Sequence, residues 1–383
     1  MTFLGFTWYY IIVFLLVLSV LVYVHEFGHY WVARRNGVRV EVFSIGFGPE
    51  IWGRHDRAGT RWKVCLVPLG GYVKMYGESL HPEEDAEDAR PMTPDEKNVS
   101  FIHKRLGQRA AIVAAGPIAN FLFAIVAFAV VYTAFGNPTP LAVVGEVMPG
   151  SAAEAAAFKS GDRILAIDSE PVTMFEDVRR IVSARPEIPL RFRIQRDGAD
   201  SILVATPRLN AVADSAAPAP RVGILGIKPN PDWVEYKREN PLTALWMGTE
   251  RTAFMTGQIL SYLGQLISGH QNARDLGGPI RIAQMSGDVA QESGPSGLIL
   301  FMAMLSINLG LINLFPIPML DGGHLLYYAA EAVRGRPLSL RAQEYGFRVG
   351  VALVFFLMVF ATWNDLTSDR VVESLKSLLR LIT

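Results

Sequence analysis

Val24 to Arg35 reads VHEFGHYWVARR, and three of these residues could do chemistry together. His25 and His29 stand four apart, about one helical turn, so both imidazoles leave one face of a helix. Glu26 lies on the neighbouring edge. This is the H-E-x-x-H arrangement, in which two neutral imidazole nitrogens hold Zn²⁺ and the carboxylate takes a proton from water without being a ligand. A catalytic zinc usually takes three protein ligands and keeps one position open, so the third must come from elsewhere in the chain. NLGLINLFPIPMLDGGH (Asn308 to His324) offers two candidates, Asp321 and His324. Pro316 and Pro318 break a helix there, and Gly322 and Gly323 allow the backbone to fold back. His55, His81, His103 and His270 lie in polar loops or on an amphipathic helix and read as ordinary surface residues.

The elements that position these groups are apolar. Trp8 to Val24 carries no charge, and at ~1.5 Å per residue it covers most of a ~30 Å hydrocarbon core. A cleaved signal peptide needs a basic start and a small-residue cleavage site; Met1 to Thr7 have no Lys or Arg, and the run continues into HEFGH. The segment therefore reads as a retained span. Ionisable groups inside a span cost several kcal/mol unless they pair or bind something, so three together point to function. Further spans are predicted at Ala110–Phe135, which contains AAGPIANF, at Leu298–Phe315 and at Val349–Trp363. Basic residues cluster after the first span (Arg34, Arg35, Arg39), before the second (Lys104, Arg105, Arg109) and between the third and fourth (Arg334, Arg336, Arg341, Arg348). These ends are expected to be cytoplasmic, with the N-terminus and the long middle segment outside. His25 then lies ~14 Å inward from Arg34 along the helix.

Composition narrows the remaining options. Half of the 383 residues are hydrophobic, and 36 basic side chains balance 36 acidic ones, so no net field draws the chain to nucleic acid. The lone cysteine, Cys65, excludes internal disulfides and a thiolate-rich metal site, and reads as a small buried side chain. Gly37–Met75 alternates with period two around glycine pairs and reads as strands. His81–Lys97 is an acidic, solvated loop. Leu141–Pro207 reads as a compact α+β domain closed by a hairpin, and Asn210–Pro220 as an Ala/Pro linker. Pro241–Gly269, interrupted by Glu250 and Arg251, is expected to lie on the membrane surface as an amphipathic helix. The expected division is thus 1–35 (first span with HEFGH), 36–107 (β-loop and acidic loop), 108–136 (second span), 139–209 (middle domain), 210–240 (linker), 241–296 (surface helix), 297–324 (third span and Asp321 segment), 325–345 (cytoplasmic loop), 346–363 (fourth span) and 364–383 (tail).

HEFGH in the first span, GPIAN at Gly116–Asn120, NLFPIPMLDGG at Asn313–Gly323, SIGFGPEIW and VPLGGYVKM together resemble the site-2 protease family of intramembrane zinc metalloproteases, in its bacterial branch of sigma-E regulator proteases. The resemblance covers nearly the whole chain in order. It implies a polytopic α-helical membrane protein with four transmembrane helices, a membrane-associated β-rich loop and one extracytoplasmic PDZ-like domain. It implies His25, His29 and Asp321 as zinc ligands and Glu26 as the catalytic carboxylate. Asn313, Pro316 and Pro318 match positions that contact an unwound substrate, and Gly46 and Gly48 match a GxG element whose strand edge pairs with it. Some members carry two tandem PDZ domains; this chain has room for one. The implied setting is the bacterial cytoplasmic (inner) membrane. The implied substrates are single-pass membrane proteins, such as anti-sigma factors already trimmed by a site-1-type protease, and remnant signal peptides. A non-catalytic membrane adaptor is the competing reading; it predicts loss of Glu26 or a ligand, and all are present.

Overall fold

The computed structural model describes residues 3–78, 92–209, 222–230, 233–269 and 277–367. Most of the acidic stretch His81–Lys97, the Ala/Pro stretch Asn210–Pro220, His81, His270 and the chain beyond residue 367 lie outside these. Contacts divide the chain into two compact units, Met1–Val130 with Leu242–Thr383, and Val131–Pro241.

In the first unit, α1 (Phe3–Arg35) runs unbroken from the apolar stretch through HEFGH. No proline interrupts it, and Arg34 and Arg35 occupy its last turn, where the helix dipole favours cations. The expected strands follow as β1 (Val40–His55) and β2 (Arg61–Met75). This antiparallel hairpin is bent back on itself. Val42–Ile45 pairs on one side with Gly71–Lys74 and on the other with Arg61–Val64, which also pairs with Trp52–His55. The bend lies at Gly46 and Gly48, both with left-handed φ (87° and 85°), where a side chain would be strained. Asp56 fastens the hairpin's tip, accepting from Tyr30 Oη on α1, Trp62 Nε1 and the Ala58 and Thr60 amides. Burial works to raise the Asp56 pKa, but these four donors hold it below the ordinary carboxylate value. Cys65 is buried inside the hairpin. The short α2 (Pro94–Val99) opens on a capping box between Thr93 and Glu96. Then α3 (Leu106–Ala134) carries Pro117 within it.

The second unit extends past the expected 139–209: within the expected linker 210–240, Gly223–Ile224, Ile227–Pro229 and Val234–Lys237 are strands that pair back onto it. In chain order it holds β3 (Asn137–Pro140), β4 (Val144–Val147), α4 (Ala152–Ala155), β5 (Arg163–Ile167), β6 (Glu170–Pro171), α5 (Phe175–Ser183), β7 (Leu190–Arg196), β8 (Ala199–Ala205), β9 (Arg208–Leu209), β10 (Gly223–Ile224), β11 (Ile227–Pro229) and β12 (Val234–Lys237). The main sheet is antiparallel in the order β6-β5-β7-β8. Along β7, Leu190, Phe192 and Ile194 are buried while Arg191 and Arg193 face out, the period-two signature of a half-buried strand. Val178, Ile181 and Val182 of α5 close the same core. Asp197-Gly198, both at left-handed φ, turn the β7–β8 hairpin.

The chain returns to the first unit through α6 (Pro241–Ile267), α7 (Pro279–Glu292), α8 (Gly294–Asn313), α9 (Asp321–Arg334) and α10 (Leu340–Leu366). Four helices are long and apolar enough to cross a membrane: Trp8–Arg35, Leu106–Ala134, Gly294–Asn313 and Leu340–Leu366. They coincide with the four predicted spans, and α6 is not among them. α7 packs on α1, α8 and α10, with Tyr10 Oη donating to Asp288 at 2.8 Å. Its first turn has no capping side chain of its own. Asp365 of α10, buried, supplies one instead, accepting from Gly278 N at 2.8 Å and Arg281 N at 3.0 Å. Between α8 and α9 the backbone does not fold back at Gly322 and Gly323. It turns at Met319, with φ of 106°, an uncommon conformation for a residue with a side chain. The two glycines instead open α9 in close contact with the Leu314, Phe315 and Ile317 carbonyls.

In the second unit, Asp162 is fully buried and clamped by Arg196 through Nε and Nη2 at 2.6 and 2.7 Å, with the Lys159 amide as a third donor. Arg196→Leu strands that carboxylate and should destabilise the unit by about 3 kcal/mol or more. Hydrogen exchange at the β7 and β8 amides measures the loss, and adding Asp162→Ala should recover part of it.

Candidate metal centre

HEFGH lies in the C-terminal third of α1, and α3 receives it. Gly116 makes this possible: any β-carbon there would collide with the His29 ring. His29 Nδ1 lies 2.9 Å from the Ile112 carbonyl. A carbonyl only accepts, so Nδ1 carries the proton and Nε2 keeps its lone pair. His25 Nδ1 lies 3.1 Å from the Asn120 side-chain amide on the same helix. Both histidines are buried.

The third member arrives from α9. Asp321 is its first residue, where the positive end of the helix dipole favours an anion. Asp321 Oδ2 stands 3.2 Å from His25 Nε2 and 3.5 Å from His29 Nε2, and the two Nε2 atoms are 3.3 Å apart. Among the described residues this trio is the one group of histidine, cysteine and carboxylate side chains spaced to hold a metal ion. His324, the other candidate, is outside it and turns its ring edge-on to Tyr327. His55 and His103 are exposed.

The donor set fits zinc. Two neutral imidazoles and a carboxylate are ordinary zinc ligands, and at a bond length of about 2.0–2.1 Å two corners of a tetrahedral ion stand about 3.3 Å apart. The three spacings fall on that value. Asp321 Oδ2, moreover, is buried without a hydrogen-bond partner. An orphaned buried carboxylate oxygen facing two imidazole nitrogens is costly unless a cation sits among them.

Glu26 belongs to the rim of this cluster. Its side chain rests against Gly71 of β2. Gly71 lies opposite Ile45, and Phe47 stacks on Tyr72, so the Gly46–Gly48 bend adjoins the strand that touches Glu26. Asn313 is the last residue of α8, and Pro316 and Pro318 lie in the turn-rich connection Leu314–Leu320 that leads to Asp321. Pro318 is not free on all sides, because α10 approaches its carbonyl at Gly350.

Residues 13–357, most of the chain, match the profile of Peptidase family M50. The chain belongs to that family. It is 47% identical over 356 residues to a Rhizobium meliloti protein that carries a zinc-metalloprotease name, covering 92% of this chain and 95% of that one. It is 41% identical over 374 residues to the metalloprotease MmpA of Caulobacter vibrioides, covering 92% and 94%. It is 34% identical over 452 residues to the regulator of sigma-E protease RseP of Salmonella typhimurium, covering 92% and 97%. Membership of M50, the site-2 protease family, makes this protein a zinc metalloprotease with four candidate membrane spans.

For an M50 chain, sequence reasoning left one participant undervalued. Asn120 stood out only as the end of GPIAN, and nothing in a single sequence pairs it with a histidine 95 positions away. Two variants separate the candidates for the third ligand. Asp321→Asn should weaken zinc binding by more than the ~10–100-fold typical of losing a partner behind a ligand, and His324→Ala should leave it in place. Metal analysis of the purified proteins decides, and the reverse pattern would move the ligand to His324.

Proposed function

We propose that this protein is an intramembrane endopeptidase in which His25, His29 and Asp321 hold Zn²⁺ and Glu26 moves the proton. The observation that carries the proposal is the trio of ligand atoms at zinc spacing, assembled from an apolar helix and the start of α9. Zinc held there would supply a Lewis acid to polarise the scissile carbonyl and acidify a water. A Glu26 carboxylate oxygen takes the proton of the attacking water and returns it to the leaving amide nitrogen. A helical substrate hides its carbonyls in its own hydrogen-bond ladder, so cleavage requires local unwinding. The β-sheet beside Glu26 can accept an extended chain, with backbone hydrogen bonds replacing those lost. Gly46 and Gly48 shape that sheet, and Asn313, Pro316 and Pro318 face the same substrate segment.

Glu26→Gln should keep zinc near stoichiometric and lower cleavage by ~10²–10⁴-fold, the usual worth of a general base. Cleavage of a reconstituted single-span substrate at the wild-type rate by this variant would reject the assignment.

The proposed topology follows from the basic span ends: N-terminus and middle domain outside, zinc towards the cytoplasmic face of a bacterial inner membrane. The fitting substrates are single-pass proteins, such as trimmed anti-sigma factors and remnant signal peptides, after a first cut by another protease. The middle domain, read as PDZ-like, then contributes no group to the chemistry and acts on access, obstructing substrates with large ectodomains. Replacing Leu141–Pro207 by a flexible linker should preserve cleavage of a trimmed substrate and permit some cleavage of the untrimmed form. A zinc-loaded deletion variant that still refuses untrimmed substrate would show that the filter lies elsewhere.

A further inference from the structure

We propose that Asn120 is a positioning residue for His25: its side-chain carbonyl Oδ1 accepts the Nδ1 proton of His25 and so fixes the tautomer whose Nε2 lone pair points at Asp321 and His29. The inference rests on His25 being a zinc ligand and adds the group that makes it one.

Three observations converge on it. Asn120 is completely buried, and its amide lies 3.1 Å from His25 Nδ1. With Nδ2 in that position the amide donates to Nδ1, which places the imidazole proton on Nε2. That proton would point into the cluster, 3.3 Å from His29 Nε2 and 3.2 Å from Asp321 Oδ2, where a ligand needs a lone pair. The same placement leaves Asn120 Oδ1 buried with no partner. The oxygen and nitrogen of an amide have the same shape, and only their hydrogen bonds tell them apart. Turning the amide over resolves the conflict at His25: Oδ1 then accepts from Nδ1–H, His25 Nε2 carries its lone pair into the trio, and Nδ2 takes the position that Oδ1 held.

The second histidine shows the same solution by another route. His29 Nδ1 meets the Ile112 carbonyl, also on α3. Ile112 and Asn120 are about two helical turns apart, on one face of a helix that runs antiparallel to α1. One helix thus holds both imidazoles by Nδ1, once with a backbone carbonyl and once with a side-chain carbonyl. Asn120 is itself braced: buried Ser306 of α8 donates to its backbone carbonyl at 2.9 Å, and Gly310 lies against its β-carbon.

The test uses the full-length protein in lipid nanodiscs, with zinc affinity measured by chelator competition. Asn120→Leu keeps the volume and removes the acceptor; it should weaken zinc about 10–100-fold, the usual effect of losing a partner behind a histidine ligand. Asn120→Asp restores an acceptor and should bind within about threefold of wild type, on the scale of a single partner's contribution. Asn120→Leu binding like wild type, or Asn120→Asp as weak as Asn120→Leu, overturns the proposal. The wild type supplies a test that needs no Asn120 variant: in zinc-loaded protein with ¹⁵N-labelled histidine, His25 Nδ1 should bear a proton protected from solvent exchange. An unprotonated or rapidly exchanging Nδ1 overturns the proposal. His25→Ala must lose zinc; if it does not, the ligand assignment itself has failed, and the proposal with it.

Discussion

Placing two imidazoles and a carboxylate among apolar helices is the constraint around which the rest of the first unit is arranged. In hydrocarbon each such group costs several kcal/mol unless it is paired. Here they pair with one another, at spacings that leave room for one small cation. Every element that touches them serves either to bring them together or to stop them from turning away. α1 supplies the histidines at one-turn spacing, α9 supplies the aspartate from its first turn, and α3 binds the far side of both rings.

Close approach of backbones is what allows this. In lipid the apolar surfaces of two helices gain little by meeting, so association depends on tight packing and on hydrogen bonds between helices. Gly116 admits the His29 ring, Gly310 admits the Asn120 side chain, and Ser306 bonds across from α8 to α3. The β-hairpin meets the same requirement differently. Folded back on itself, it satisfies most of its own backbone groups, and Asp56 ties its tip to α1 through Tyr30.

Much of this was legible in the sequence, and the reason is local. Spans are uncharged runs of fixed length, H-E-x-x-H declares itself within five residues, and Leu190–Ile194 alternates with period two ahead of the Asp197-Gly198 turn. These signals require only neighbours along the chain. The rest requires partners far away. That the hairpin doubles over depends on Val42 meeting both Lys74 and Arg61. That the turn before Asp321 falls at Met319, with the glycines reserved for close packing, depends on how α9 meets the Leu314–Ile317 carbonyls. That α7 lies against α1 depends on Tyr10 finding Asp288. Asn120 belongs with these: its type is visible in the sequence and its partner is not.

α10 shows a mechanical side of the same economy. Val351, Phe355, Phe356 and Met358 are exposed along it, and hydrocarbon solvates such flanks as well as protein does. Little apolar contact therefore opposes rotation of this helix about its own axis. Among the described residues its close contacts include Gly346 against Tyr327 of α9, Gly350 beneath the Pro318 carbonyl and Asp365 over the first turn of α7. The contact at Gly350 grips the segment that delivers Asp321, the one at Asp365 a helix packed on α1. The connection that delivers Asp321 and the helix packed on α1 are thus held by the same helix, α10.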